Sequence, residues 1–398
     1  MRENHPAGDR LPGDKLDVIQ ALRGVAALLV VFYHGVGYQP RAKQEGTIEH
    51  LIFSFGASGV DLFFMISGFI MVYATRGTPA GLDGAGPFLI KRMARIFPVY
   101  FVATAVYVPM MIAMGRHVGH IDIMTQPNQI IRSMLMIPTN FGSMGPYFGG
   151  SVLHVGWTIN FEAYFYFLFA VSLLFGRLRW VALALIAGVM LVGLPLMVST
   201  PSLNAYVDYG FQGPLNFLTS PMIWEFFIGV VIGRLYLSNV AIPRLAANLL
   251  SLVALAVLVW FLITGVSLRL GLTGWGAPYA LLLFALAIGS KTMTIRWPRA
   301  LIWTGNVSFS LYLVHPFVIH PGYQLFWSDR TYPYMNSVWY MGVLAALSIA
   351  LAAISYRYLE VGLSEWVRRR MLAVFASWRH TRRLDTRMPN GTVSSGQE

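Results

Sequence analysis

Residues 18–38 read VIQALRGVAALLVVFYHGVGY, an apolar run of membrane-spanning length broken by two ionisable residues, Arg23 and His34. A helix needs about 20 predominantly apolar residues to cross the ~30 Å hydrocarbon core of a bilayer. Eleven steps at 100° carry a helix through about 1100°, only ~20° past three full turns, so Arg23 and His34 share one face. They lie roughly 16 Å apart along the axis at 1.5 Å per residue. An ionisable group at bilayer depth costs about 2.5 kcal/mol or more on insertion scales, and such groups line polar cavities or reaction paths. The lead before the run is polar and of mixed charge, with no small-residue cleavage site, so the first helix is expected to stay in the mature protein.

Outward from this helix the chain keeps the same character. It is 56% hydrophobic and only 12% charged, about half the charge of a soluble globule. Apolar runs recur at 51–74, 97–114, 155–175, 178–199, 215–237, 245–264, 277–290, 301–320 and 337–356, which makes about ten spans of an all-α, polytopic transmembrane helical bundle. Lys and Arg divide 22 to six between alternate sides of these spans, with Arg23 inside the membrane. That asymmetry predicts both termini in the cytoplasm. The net charge of +12 sits in juxtamembrane loops and the tail, where it suits topology and anionic lipid, so no nucleic acid is expected as partner. There is no cysteine, which excludes disulfides, thiolate catalysis and cysteine-ligated metal, and no metal site is expected.

Between the spans, the stretch 115–154, rich in Gly, Pro, Met and aromatics, reads as a lid or re-entrant element. VGLSEWVRRRM, from Val361, reads as a short interfacial helix and the last dozen residues as disordered. Gly229 and Gly233 form a small-xxx-small pair for close helix packing.

The predicted orientation gives each polar residue a depth. His34, Glu162 and His315 converge in the outer half, with Asp61 and Arg23 beneath them and Lys91, Arg92 and Arg95 at the cytoplasmic mouth of the third span. A histidine can take a proton from an alcohol, with a carboxylate to orient its ring. Arg92 and Arg95 are neighbours on a helix and can clamp phosphate. Plainer roles compete at each position. The arginine pair suits a positive-inside anchor, and His315 equally suits an interhelical hydrogen bond or a substrate contact. Asp61 and Glu225 can pair with an internal cation such as Arg23 or accept hydrogen bonds from Tyr and Trp, a structural reading favoured for Glu225.

Five blocks, in order, carry a family resemblance: LDVIQALRGVAALLVVFYH, GVDLFFMISGFIMVYA, FLIKRMARIFPVYF, GWTINFEAYFYFLFA and GNVSFSLYLVHP. With them the chain resembles the acyltransferase-3 family of membrane acyltransferases, in its exopolysaccharide-production (ExoZ-like) branch, over about residues 16 to 360. The resemblance implies an acyltransferase domain at 17–358, between a cytoplasmic lead at 1–16 and a basic cytoplasmic tail at 359–398. It implies an inner-membrane, multi-pass O-acyltransferase moving an acyl group, usually acetyl, from cytoplasmic acyl-CoA to a sugar hydroxyl of an exported polysaccharide or lipid-linked glycan. No permanently bound cofactor is implied, since acetyl-CoA is a donor substrate. By position, His34 is the catalytic histidine and Arg23 its motif partner. Glu162 lies in the matching Trp-x-x-x-Phe-Glu block, while its role as orienter of His34, and the place of Asp61 in the catalytic set, come from the residues themselves. Arg92, Arg95 and Lys91 serve the CoA side, and His315, Trp157 and Tyr312 the acceptor. A transporter or flippase using the same buried charges is the rival reading, and a structural subunit of an export complex a third.

Overall fold

A computed structural model of the chain describes residues 14–36, 54–114, 126–264, 269–325, 335 and 337–385. Among the described residues every regular element is helical. The principal helices are α1 (Asp14–Val36), α2 (Gly59–Ala74), α3 (Leu82–Ala113), α4 (Pro127–Met134) and α5 (Trp157–Leu173). After them come α6 (Gly176–Leu196), α7 (Pro214–Leu237), α8 (Arg244–Thr264) and α9 (Leu272–Gly289). The chain then forms α10 (Arg299–Asn306), α11 (Ser308–Leu325), α12 (Val338–Ser355) and α13 (Ser364–Asp385).

Eight helices among the described residues are long and apolar enough to cross a membrane, and nine if α10 and α11 count as one broken span bent by 64°. The protein is a polytopic helical membrane bundle. The expected fourth span is α5, only 17 residues long and so about 26 Å. The expected ninth span is the bent α10–α11 pair, because the helical run breaks at Val307.

Two boundaries differ from the sequence reading for one reason: charge hides a helix from a hydropathy window. The third span does not begin at residue 97. Its helix starts at Leu82 and runs 32 residues, about 48 Å, which outruns a ~30 Å hydrocarbon core. Lys91, Arg92 and Arg95 therefore lie within α3 and not in a loop before it. Nor is the segment after α12 a short interfacial helix. A wider π-type turn at Tyr356–Leu363 joins α12 to the 22-residue α13. Here α13 packs along the first turns of α3, with Phe375 against Gly86 and Arg379 bonded to Asp83 at 2.8 Å. The terminal residues expected to be disordered lie outside the described residues.

The centre is held by glycine contacts and aromatic stacking. A Cβ on Gly68 would come within 2.1 Å of the Phe226 carbonyl oxygen, and one on Gly229 within 1.9 Å of that of Met65, so α2 and α7 touch backbone to backbone. Small residues drive such packing in lipid because apolar side chains have no water to escape. Phe226 stacks on Phe64 at 4.6 Å and on Phe165 at 4.4 Å, tying α5 to that pair. Helices α6 and α8 lie at the edge, where Val181, Leu185, Leu249, Leu252 and Trp260 stay exposed and suit contact with lipid.

Candidate active site

Close packing of α1 fixes the direction of its polar face. A Cβ on Gly24 would sit 2.5 Å from the Leu301 carbonyl oxygen, and one on Gly305 1.9 Å from that of Gln20, which locks α1 against α10. Gly59, at the start of α2, meets the Ala26 carbonyl oxygen in the same way at 2.5 Å. The face that carries Arg23 and His34 is thereby turned inward.

That face borders two of three neighbouring cavities, Arg23 the second and His34 the third. A mouth of about 950 Å³ is lined by Arg76, Lys91, Arg92, Arg95, Glu360 and Arg368. A narrow throat of about 70 Å³ follows, lined by Arg23, Ser67, Arg92, Arg95, Glu162, Tyr166 and Tyr312. A chamber of about 770 Å³ holds His34 with Asn140, Tyr147, His154, Trp157 and Tyr312. Arg92 and Arg95 wall both mouth and throat, whereas Val60 and Tyr312 wall both throat and chamber. The throat is far smaller than the space on either side, so it admits a slender chain and excludes a nucleotide.

The throat is cationic. Three guanidinium groups, those of Arg23, Arg92 and Arg95, face it with one carboxylate, Glu162. Glu162 accepts hydrogen bonds from Tyr166 OH, one turn along α5, and from Ser67 Oγ at 3.4 Å. Arg95 reaches Glu360 at 4.0 Å, and Glu360 also accepts a bond from Ser310 Oγ at 3.0 Å. Arg23 is buried and donates to Gln20 Oε1 at 3.2 Å. Arg92 lies near the faces of Phe88 and Tyr166. Among the described residues neither Arg23 nor Arg92 has a carboxylate within 4.0 Å.

At the chamber end the imidazole hydrogen bonds settle the tautomers. His34 Nδ1 lies 2.9 Å from the Val30 carbonyl oxygen, which can only accept, so the proton sits on Nδ1. His315 Nδ1 likewise donates to the Leu311 carbonyl oxygen at 3.1 Å. His315 Nε2 is then an acceptor, 3.2 Å from His34 Nδ1. His34 Nε2 keeps its lone pair, as a general base requires. Tyr312 OH donates to the Val155 carbonyl oxygen at 3.0 Å, with Thr158 Oγ1 at 2.8 Å. This fixes Tyr312 as the partition between throat and chamber.

The expected residues thus fall into three groups. Arg23, Glu162, Arg92 and Arg95 meet in the throat, and Lys91 reaches only the mouth. His34, Trp157 and Tyr312 line the chamber. The structure does not bring Glu162 to His34, because Tyr166 and Ser67 hold its carboxylate on the arginine side. His315 is fully buried, lies against the ring of His34 and is not among the residues that line the chamber. Asp61 lines none of the three cavities. Its carboxylate accepts from the Gly271 N–H at 2.6 Å and faces Glu225 in the interface of α2, α7 and α9. Neither acid pairs with Arg23, the expected internal cation.

Sequence alone assigns Tyr166, with Tyr164 and Phe165, to the aromatic belt or packing, and does not single out His154 or Arg368. Tyr166 was findable, since Glu162 and Tyr166 are one helical turn apart on a face. His154 sits in a stretch with no periodicity, and Arg368 in a helix that hydropathy does not mark. Residues of the expected lid, from Gln129 to Ser151, do wall the chamber.

Comparison with known proteins gives this geometry a family. A profile of the acyltransferase-3 family, described as an acyltransferase domain, matches residues 16–357. The exopolysaccharide production protein ExoZ of Rhizobium meliloti (strain 1021) is 31% identical over 273 residues, 67% of this chain and 78% of that protein. Acyltransferase MdmB of Streptomyces mycarofaciens is 26% identical over 86% of this chain and 88% of its own length. Nodulation protein 10 of Rhizobium leguminosarum bv. viciae is 27% identical over 85% and 90%. No solved structure matches. The match runs from α1 to just past α12, and the chain belongs to the acyltransferase-3 family, in its exopolysaccharide-production branch.

Proposed function

We propose that this acyltransferase moves an acyl group, with acetyl as the first candidate, from acyl-CoA to a sugar hydroxyl of an exported or cell-surface polysaccharide or lipid-linked glycan. In this reading the protein lies in the inner membrane with its arginine end in the cytoplasm. The observation that carries it is the throat: three arginines against one carboxylate at one end, His34 with a free Nε2 lone pair at the other. Phosphates of the donor bind at the mouth, on Arg76, Lys91, Arg92, Arg95 and Arg368, through charge-assisted hydrogen bonds. The acyl-bearing arm enters the throat and spans the ~16 Å from Arg23 to His34. The nucleotide stays outside.

The acceptor hydroxyl occupies the chamber and gives its proton to His34 Nε2 as its oxygen attacks the thioester carbon. The C–S bond breaks, a C–O ester bond forms, and the CoA thiolate takes up a proton. His315 Nε2, accepting from His34 Nδ1–H, holds the ring and shares the charge of the imidazolium. The names of ExoZ and MdmB support a glycan-related acceptor and acyl transfer respectively. Family membership weighs against the transporter reading. The test is purified protein with radiolabelled acetyl-CoA and a panel of envelope glycans. Label passes to glycan with the unaltered protein and not with His34→Ala or Arg92→Ala. Undiminished transfer by His34→Ala would overturn the base role.

A further inference from the structure

The histidine cluster extends beyond the two rings that acyl transfer uses. His154, in the turn that leads into α5, has its ring centroid 4.7 Å from that of His34 and 6.4 Å from that of His315. One donor nitrogen from each of His34, His154 and His315 can be chosen so that all lie within 4.8 Å of one another. On a tetrahedral ion with metal–nitrogen bonds of about 2.0–2.1 Å, such nitrogens sit about 3.3 Å apart. The ligand nitrogens need to close by at most about 1.5 Å.

We infer that His34, His154 and His315 form a site for a borderline-soft divalent transition-metal ion of the Zn²⁺ class. Three features beyond proximity support it. The Val30 and Leu311 carbonyls hold the Nδ1 protons of His34 and His315, and ligating histidines commonly fix their tautomer through such outer-shell bonds. The donor set is imidazole only, which suits Zn²⁺, Co²⁺, Ni²⁺ or Cu²⁺ and does not suit Mg²⁺ or Ca²⁺. Finally, His34 and His154 face the 770 Å³ chamber, which gives the ion access and leaves a fourth coordination position for water or a substrate oxygen.

The three ligands come from α1, the turn before α5, and α11, so packing of the bundle sets their spacing. His320 backs the site: its ring stacks on His154 at 5.0 Å and its Nδ1 lies 2.7 Å from Tyr107 OH. An ion here occupies the His34 lone pair, so it competes with the acceptor hydroxyl for the same nitrogen and slows transfer until it is chelated.

The deciding experiment is a Co²⁺ titration of full-length protein without a polyhistidine tag, in detergent micelles, read by visible ligand-field absorption. The unaltered protein should saturate at one Co²⁺ per chain with bands of tetrahedral intensity, and Zn²⁺ should abolish them. His154→Ala and, independently, His315→Gln should weaken binding by more than about 100-fold, beyond the effect typical of outer-shell changes. Gel filtration checks that each variant is folded, and either folded variant suffices. Absence of the bands, or their persistence in a folded variant, would overturn the site. The readout is optical, so its failure leaves the acyl-transfer reading intact, and failure of acyl transfer leaves the metal site testable.

Discussion

At the scale of single residues, the fixed proton on His34 Nδ1 sets an order of expected effects. Loss of the base in His34→Ala should lower kcat by about 10²–10⁴-fold, the range for general-base catalysis. His315 acts only through the His34 ring, so His315→Ala should lower kcat by about 10²-fold, as a misplaced catalytic group does. The KM for donor and acceptor should stay near normal. His315→Gln keeps an acceptor oxygen for His34 Nδ1–H and should recover part of the loss, an order that a merely structural role would not give. Initial-rate kinetics on folded variants check this. The buried acids call for a different measurement. Asp61 holds the Gly271 N–H at 2.6 Å, so Asp61→Leu orphans a buried donor and should cost about 1–3 kcal/mol in detergent unfolding. Glu225→Gln keeps the shape and a hydrogen-bonding group facing Asp61, and should unfold close to the unaltered protein.

Much of the site was legible in sequence, and the limits were physical. Arg23 and His34 announce themselves by the cost of charge in an apolar run, whereas the spacing of Arg92 and Arg95 says little by itself and gains meaning only within the ordered set of family blocks. The partners of Glu162 and Asp61 could not be read, because helical spacing gives a face and a depth and not the rotation of one helix against the next.

The elements show the same division. Gly229 and Gly233 were readable as a packing face, and α2 does cross there. Gly229→Leu should therefore push α2 from α7 and cost more than the about 1–3 kcal/mol typical of overpacking, since the clash is with backbone at 1.9 Å. Gly342, in α12, has nothing within 4 Å of an added Cβ. Gly342→Ala should be neutral or stabilising by up to about 1 kcal/mol through helix propensity. Thermal unfolding of both in the same detergent provides the contrast, and equal loss would contradict the packing argument. The early turns of α3 and the part of α13 beyond Met371 escaped the sequence reading because their stability comes from each other: Phe375 fills the space over Gly86, and Arg379 meets Asp83.

On the scale of the molecule, α3 and α13 connect the bundle to the mouth. From Val338 to Arg382 the α12–α13 run covers 45 residues, about 68 Å, roughly twice a hydrocarbon core. Its far part must leave the membrane, and α3 leaves beside it. Arg368 on α13 and Lys91 and Arg92 on α3 then face each other across the mouth, so docking of α13 governs the basic surface offered to a phosphorylated donor. The Arg379–Asp83 bond is partly exposed, with side chains 24% and 42% accessible, and such pairs are worth about 0.2–1 kcal/mol. Asp83→Arg should thus loosen α13 and raise the KM for acyl-CoA by at most about fivefold, with kcat little changed because His34 lies beyond the throat. Removing a donor contact outright in Arg368→Ala should raise the KM further and make it less sensitive to salt. The pair Asp83→Arg with Arg379→Asp restores the attraction in reverse and should return the KM toward its original value. If the double variant binds donor no better than Asp83→Arg alone, α13 does not shape the mouth through this contact, and the basic wall belongs to α3 and Arg76 alone.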